Sequence, residues 1–229
     1  MIRPVIKRSL VSVVVNQVLG IDEDVVVPIY EYQFDNVDDV ITFDEKVYDP
    51  ANPAFELEGY FDLANYDGTL FSQNTASASG SREFQLYKTT SSGLRIYLGG
   101  SLRTLENTNH NQAGLWCVKL YGNATDGWDF DISLDGVLLG TVGWSAIGSA
   151  TEPGALPVLA GRSDNAADAF SSLLGGVIKN FKFWKGDRET GELLIDLPIN
   201  EGGAGVVENY AGTATATANN FNPENWTQL

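Results

Sequence analysis

The sequence predicts an all-β protein, a two-sheet antiparallel β-sandwich of jelly-roll type behind an extended N-terminal arm. More than ten short strand-like runs follow one another, separated by polar, glycine-rich turn signals, and no amphipathic helix interrupts them. The 24 glycines against a single methionine suit a chain of many tight turns. Residues 114–142 are the most informative stretch, with three strand-like runs punctuated by Asp126-Gly127 and Asp135-Gly136. In the middle run Trp128, Phe130, Ile132 and Leu134 alternate with Asp129, Asp131 and Ser133. A period of two with one apolar face is what a sheet buried on one side requires. Asp135-Gly136 supplies the positive φ angles of a two-residue hairpin turn.

Taken in order, residues 1–28 form a basic, strand-forming arm. Arg3, Lys7 and Arg8 stand in a segment whose first 20 residues carry no acid, followed by the apolar run 10–15. That run is short, Asn16 and Gln17 interrupt it, and no small-residue cleavage site follows, so the expectation is an arm rather than a cleaved signal peptide. It either adds strands within the sandwich or pairs with a neighbouring subunit. The body, 29–229, begins with strand-like runs at 30–35 and 40–44. In 55–63 Phe55, Leu57, Phe61 and Leu63 oppose Glu56, Glu58, Tyr60 and Asp62. Runs at 69–73, 82–88 and 94–98 follow, with 74–81 a small-residue polar loop. After the central trio come a loop at 143–155, a strand at 156–160, an irregular stretch at 162–172, and strands at 177–184 and 192–197. The tail, 201–229, carries Phe221 and Trp226, which an unanchored segment rarely does; both are expected to pack on the body.

Charge narrows the partners. With 14 basic and 30 acidic residues the chain carries a formal charge of −16, which repels a phosphate backbone and excludes nucleic acid as the expected partner. No apolar run reaches the length that spans a bilayer, so no membrane insertion is expected. The one cysteine, Cys117, rules out an internal disulfide and thiolate metal clusters, and reads as a small hydrophobe within a strand.

Several spaced motifs resemble those of laminin-G-like, concanavalin-A-like jelly-roll domains. Phe34-Asp-Asn-Val-Asp-Asp-Val-Ile41 resembles the family's opening strand, although Asn36 stands where a glycine is usual. Phe55-Glu-Leu-Glu-Gly-Tyr-Phe61 is similar to its second core strand. Trp116, Tyr121, Asp126-Gly-Trp128 and Asp135-Gly136 are similar to its central hairpin, with Asn123-Ala-Thr125 inserted. The run 176–184 with Thr190-Gly-Glu-Leu193 and Leu197-Pro-Ile-Asn-Glu-Gly202 resembles the closing strands. The resemblance covers about residues 30–229 and implies the fold; lectins, glycosidases, adhesion modules and virion proteins all use it. Phage and bacterial members often end in a Gly/Thr/Asn-rich tail with a tryptophan, as Trp226 does here.

Catalytic signatures are sparse. Jelly-roll glucanases carry three carboxylates on one strand, and here only Glu56 and Glu58 have that alternation. The lone histidine, His110, lies in a polar stretch with no nucleophile elbow elsewhere in the chain, and zinc ligands are lacking. No enzyme activity is therefore expected. Calcium is the one metal left open, since the resemblance implies a rim site built from aspartates and carbonyls; the loop candidates are Asp67, Asp126, Asp164 and Asp168. For sugar binding, Trp144 in the loop 143–154 is the candidate stacking platform, with Asp164 and Asn165 as polar neighbours. The preferred reading is a non-catalytic phage virion protein, a head-decoration or tail-fibre component at the virion surface. Its arm would dock onto other virion proteins, its jelly roll would meet cell-surface glycans, and it would form a homo-oligomer. The alternative is a free, extracellular carbohydrate-binding lectin module, and a glycosidase comes third.

Overall fold

The computed structural model describes residues 30–62, 67–73, 84–89, 93–105, 112–147, 156–163, 170–171, 173–200 and 207–229. The arm 1–28, His110, Asp164, Asn165 and Asp168 lie outside them.

Two antiparallel sheets face each other. The strands are β1 (Tyr30–Asp35), β2 (Val40–Phe43), β3 (Phe55–Asp62), β4 (Gly68–Gln73), β5 (Phe84–Thr89), β6 (Gly93–Leu98), β7 (Ser101–Leu105), β8 (Gly114–Asn123), β9 (Gly127–Leu134) and β10 (Val137–Trp144). There follow β11 (Val158–Leu159), β12 (Arg162–Ser163), β13 (Phe170–Ser171), β14 (Gly175–Lys185), β15 (Glu192–Leu197), β16 (Ala216–Asn219) and β17 (Trp226–Gln228). One sheet has the order β10-β9-β8-β3-β14-β1-β17, with β15 also on β14. The other runs β16-β2-β11-β4-β5-β6-β7, and β12 with β13 forms a small ribbon. This is the two-sheet antiparallel sandwich expected from the sequence.

The alternation read in the sequence sets which face is buried. Phe130, Ile132 and Leu134 of β9 point into the sandwich beside Trp116, Val118 and Leu120 of β8. Phe55 and Phe183 from the first sheet meet Phe71 and Phe84 from the second, with ring centroids 5.1–6.4 Å apart. Each ring removed from water contributes roughly 1.5–3 kcal/mol, and these rings join the sheets at their centre.

Bulges correct the alternation where it would fail. In β14 strict alternation from Ile178 would turn Phe181 outward. Asn180 instead adopts φ 52° and the register against β3 shifts between Lys179 and Lys182, so Ile178, Phe181 and Phe183 all face inward. The tail is anchored as expected. Phe221 stacks on Tyr32 at 4.0 Å, Trp226 packs against Tyr32 at 4.9 Å, and β17 pairs with β1.

Candidate functional site

The outer face of the larger sheet carries the most organised polar surface among the described residues. Across neighbouring strands Thr141, Asp131, Lys119 and Glu56 stand opposite one another in register and form one row. Asp129 and Tyr121 form the next. Since Leu120 and Phe130 face the core, Lys119, Tyr121, Asp129 and Asp131 must face outward. Tyr121 is 37% exposed, and the Lys119 ammonium lies 6.0 Å from its ring centroid. Thr141 donates its hydroxyl to Asp131 at 2.5 Å. Partial burial and the charges of Asp131 and Asp129 hold the Tyr121 phenol above its ordinary pKa, so it stays a neutral hydrogen-bonding group.

The turn between β14 and β15 forms the opposite wall. Asp187 accepts from the backbone N–H groups of Glu189 and Thr190 and from the Thr190 hydroxyl, at 2.8–3.0 Å. Those bonds favour its charged form and lower its pKa. Gly191 is confined by backbone: a Cβ there would lie 2.3 Å from the Lys185 carbonyl oxygen. Between this turn and β8 lies an open cleft of about 670 Å³, lined by Lys119, Tyr121, Asp131, Lys185, Asp187 and Thr190, among others.

Arg188 fastens the turn to the sheet. Its Nε lies 2.9 Å from Glu56 Oε1 and its Nη1 2.7 Å from Glu58 Oε2, while its backbone N–H donates to Glu56 Oε2 at 3.2 Å. The Glu56 side chain is only 3% exposed. Glu56 is therefore buried, and both carboxylates are engaged by one guanidinium. Cys117 lies beneath the same carboxylate at 3.4 Å, and burial and the negative charge of Glu56 push its thiol up to about 12.

Trp144 is not where the sequence reading put it. It is the last residue of β10, pairs with Trp128, and is 3% exposed, with the Arg103 guanidinium 4.8 Å from its ring centroid. A register shift between Leu138 and Gly140 turns it inward; without that bulge the parity of β10 would place it outside. A buried ring offers no stacking platform, so that expectation is overturned. Of the calcium candidates, Asp126 sits in the β8–β9 turn, where Asn123 donates to its Oδ2 at 2.8 Å. Asp67 precedes β4 on the surface. Neither belongs to the one group of three carboxylates found among the described residues, Asp35, Asp38 and Asp39. Tyr121 was missed as a site residue, although its parity with Lys119 in β8 marks it as an outward aromatic.

No family model matches the sequence, and no curated protein matches it. Solved structures do. A candidate carbohydrate-binding protein from Bacteroides ovatus superposes with a TM-score of 0.61 at 12% identity, over 89% of this chain. The match spans 61% of that protein's length, less than two thirds. The CBM40 module of Ruminococcus gnavus IT-sialidase aligns at a TM-score of 0.45 and 15% identity, over 68% of this chain and 91% of that one. Domains LG4-5 of the mouse laminin α1 chain align at 0.45 and 10%, over 75% and 43%. At such identities the likeness speaks to architecture, and it agrees with the sheet order and the sequence motifs. The chain folds as a two-sheet antiparallel β-sandwich, and it shares that architecture with the B. ovatus protein.

Proposed function

We propose that this chain is a non-catalytic carbohydrate-binding module that holds glycans in the cleft between Tyr121 and the 186–191 turn. The observation that carries the reading is the exposed Tyr121 ring set among Lys119, Asp131, Asp187 and Thr190 around an open volume of about 670 Å³. A sugar ring presents an apolar C–H face and a rim of hydroxyls. The tyrosine suits the face, and the carboxylates, hydroxyl and ammonium suit the rim. Lys119 and Lys185 line the cleft and Arg188 is half exposed beside it, which extends the reading to acidic glycans. Engagement of Glu56 and Glu58 by Arg188 favours binding over hydrolysis, because neither carboxylate is left to act as acid or nucleophile. The superposition on the B. ovatus protein supports the same class.

A glycan array followed by calorimetry on the best hit tests this. Removing an aromatic anchor costs about 2 kcal/mol, so Tyr121→Ala is expected to weaken binding roughly 30-fold. Asp131→Asn is expected to weaken it less. Absence of any glycan bound by the wild-type chain, or equal affinity in Tyr121→Ala, refutes the reading.

The virion setting, with residues 1–28 docking the module onto an assembly and Arg3, Lys7 and Arg8 supplying the charge, draws its support from the sequence alone. Within it the cleft would face cell-surface glycans from the virion surface; without it the module works extracellularly. Deleting residues 1–28 should abolish incorporation into particles and leave the glycan affinity of the isolated chain unchanged. Particles that retain the truncated protein would remove the docking role.

A further inference from the structure

A second open cleft adjoins the one that carries Tyr121. It measures about 460 Å³ and is lined by Lys46, Asp49, Pro50, Lys185, Glu192 and Leu194, among others. Lys185 lines both clefts. It stands at the end of β14, opposite Phe55 of β3 on one side and Glu192 of β15 on the other. The first cleft reaches from there to residues 119–122 of β8, and the second to Glu192 and Leu194 of β15. Together they cross the ends of four adjacent strands, β8, β3, β14 and β15. Strands about 4.8 Å apart put the outer two about 14 Å apart, farther than one sugar ring spans. The floor beside Lys185 is low. Gly186 donates its N–H to the Ala54 carbonyl at 2.9 Å, and neither residue has a side chain larger than a methyl group.

The wall of the second cleft is held from within. Gln73, fully buried, accepts the N–H groups of Val47 and Tyr48 at 2.9 Å and donates to the Tyr48 carbonyl at 2.7 Å. Asp49 Oδ1 accepts from the Ala51 N–H at 2.9 Å, and its Oδ2 from the Lys185 ammonium at 3.2 Å. A wall already ordered costs little to order on binding. The Lys185–Asp49 pair is 36% and 41% exposed, so it adds little stability. An ammonium carries three donors and Asp49 engages one, which leaves Lys185 able to meet a ligand hydroxyl. Lys46 and Lys185 balance Asp49 and Glu192, and such a balance suits the hydroxyls of a neutral sugar. We infer that the two clefts form one groove for a linear oligosaccharide, with one unit on Tyr121 and a later unit between Lys46 and Glu192. The inference rests on the glycan-binding reading of the Tyr121 cleft and adds the length of the ligand.

The test takes the glycan found on the array as a series of increasing length, titrated calorimetrically into the full chain. Affinity is expected to rise roughly tenfold from the single unit to the length that fills both clefts, and then to level off. Lys46→Ala combined with Glu192→Gln, both at exposed positions, should weaken the longest member roughly tenfold and leave the single unit unchanged. Tyr121→Ala should weaken both. If the double variant unfolds early, Lys46→Ala alone decides. The groove is overturned if affinity does not rise with length, or if the double variant binds the longest member as tightly as wild type. In either case Tyr121-dependent binding of the single unit keeps the module reading intact. A double variant that also loses the single unit overturns the groove by placing that unit in the second cleft. Failure of every glycan to bind removes both readings.

Discussion

Replacing Arg188 with methionine should cost far more than its exposed position suggests. The side chain is 51% exposed, and an ion pair between two such groups contributes about 0–1 kcal/mol. Its partner is different: the Glu56 carboxylate is 3% exposed and receives Nε at 2.9 Å. Removing one member of a fully buried pair costs about 3–5 kcal/mol, because the other charge stays behind without compensation. Two contacts soften that figure, the Arg188 backbone N–H at 3.2 Å and the Lys119 ammonium at 3.8 Å. The guanidinium is also half in water. An intermediate loss of about 2 kcal/mol follows, or roughly 4–8 °C in unfolding temperature for a domain of this size. Urea denaturation and calorimetry read it. Combining Arg188→Met with Glu56→Gln should recover at least half of the loss. A loss under about 0.5 kcal/mol, or the same loss in the Glu56→Gln background, refutes the argument.

Three further outcomes are expected. Phe221→Ala removes the ring stacked at 4.0 Å on Tyr32; for a half-buried ring the loss is about 1–2 kcal/mol, and proteolysis should cut the tail first. Asn180→Val forces a β-branched residue to φ 52° and should destabilise by about 1–3 kcal/mol, whereas Asn180→Gly should be nearly neutral; equal stabilities would remove the role given to the bulge. Cys117, its thiol pushed up to about 12 by burial and Glu56, should resist iodoacetamide near neutral pH in the native protein and react fully in urea. Rapid native labelling would contradict that burial.

The sandwich was legible because its signals are local. Phe130, Ile132 and Leu134 show their face within one strand, and Asp135 (φ 50°) with Gly136 (φ 78°) makes the turn their chemistry demands. β7 was not read, because Ser101–Leu105 lacks a strong apolar rhythm; its hairpin is set instead by Gly99 and Gly100, both at positive φ. The cleft was hidden for another reason. Tyr121 and Asp187 lie far apart in the chain and meet only once β8, β3 and β14 are side by side. Trp144 misled because Gly143 read as the start of a loop, whereas β10 runs on to Trp144 and a bulge between Leu138 and Gly140 turns the ring inward. The acidic turn was in plain sight within Phe34–Ile41, but only packing shows that Asp39 is buried and its two companions are not.

The pairing of β1 with β17 sets Tyr30 opposite Gln228. Whatever precedes the first and follows the second must therefore leave from one corner of the larger sheet, while β10 lies at its far edge. A short linker could join those two positions, and new ends opened at the exposed Asp135-Gly136 turn would keep every strand pairing intact. The same corner suits the body to insertion within a larger chain, as a bead that presents its cleft without interrupting the path of its host.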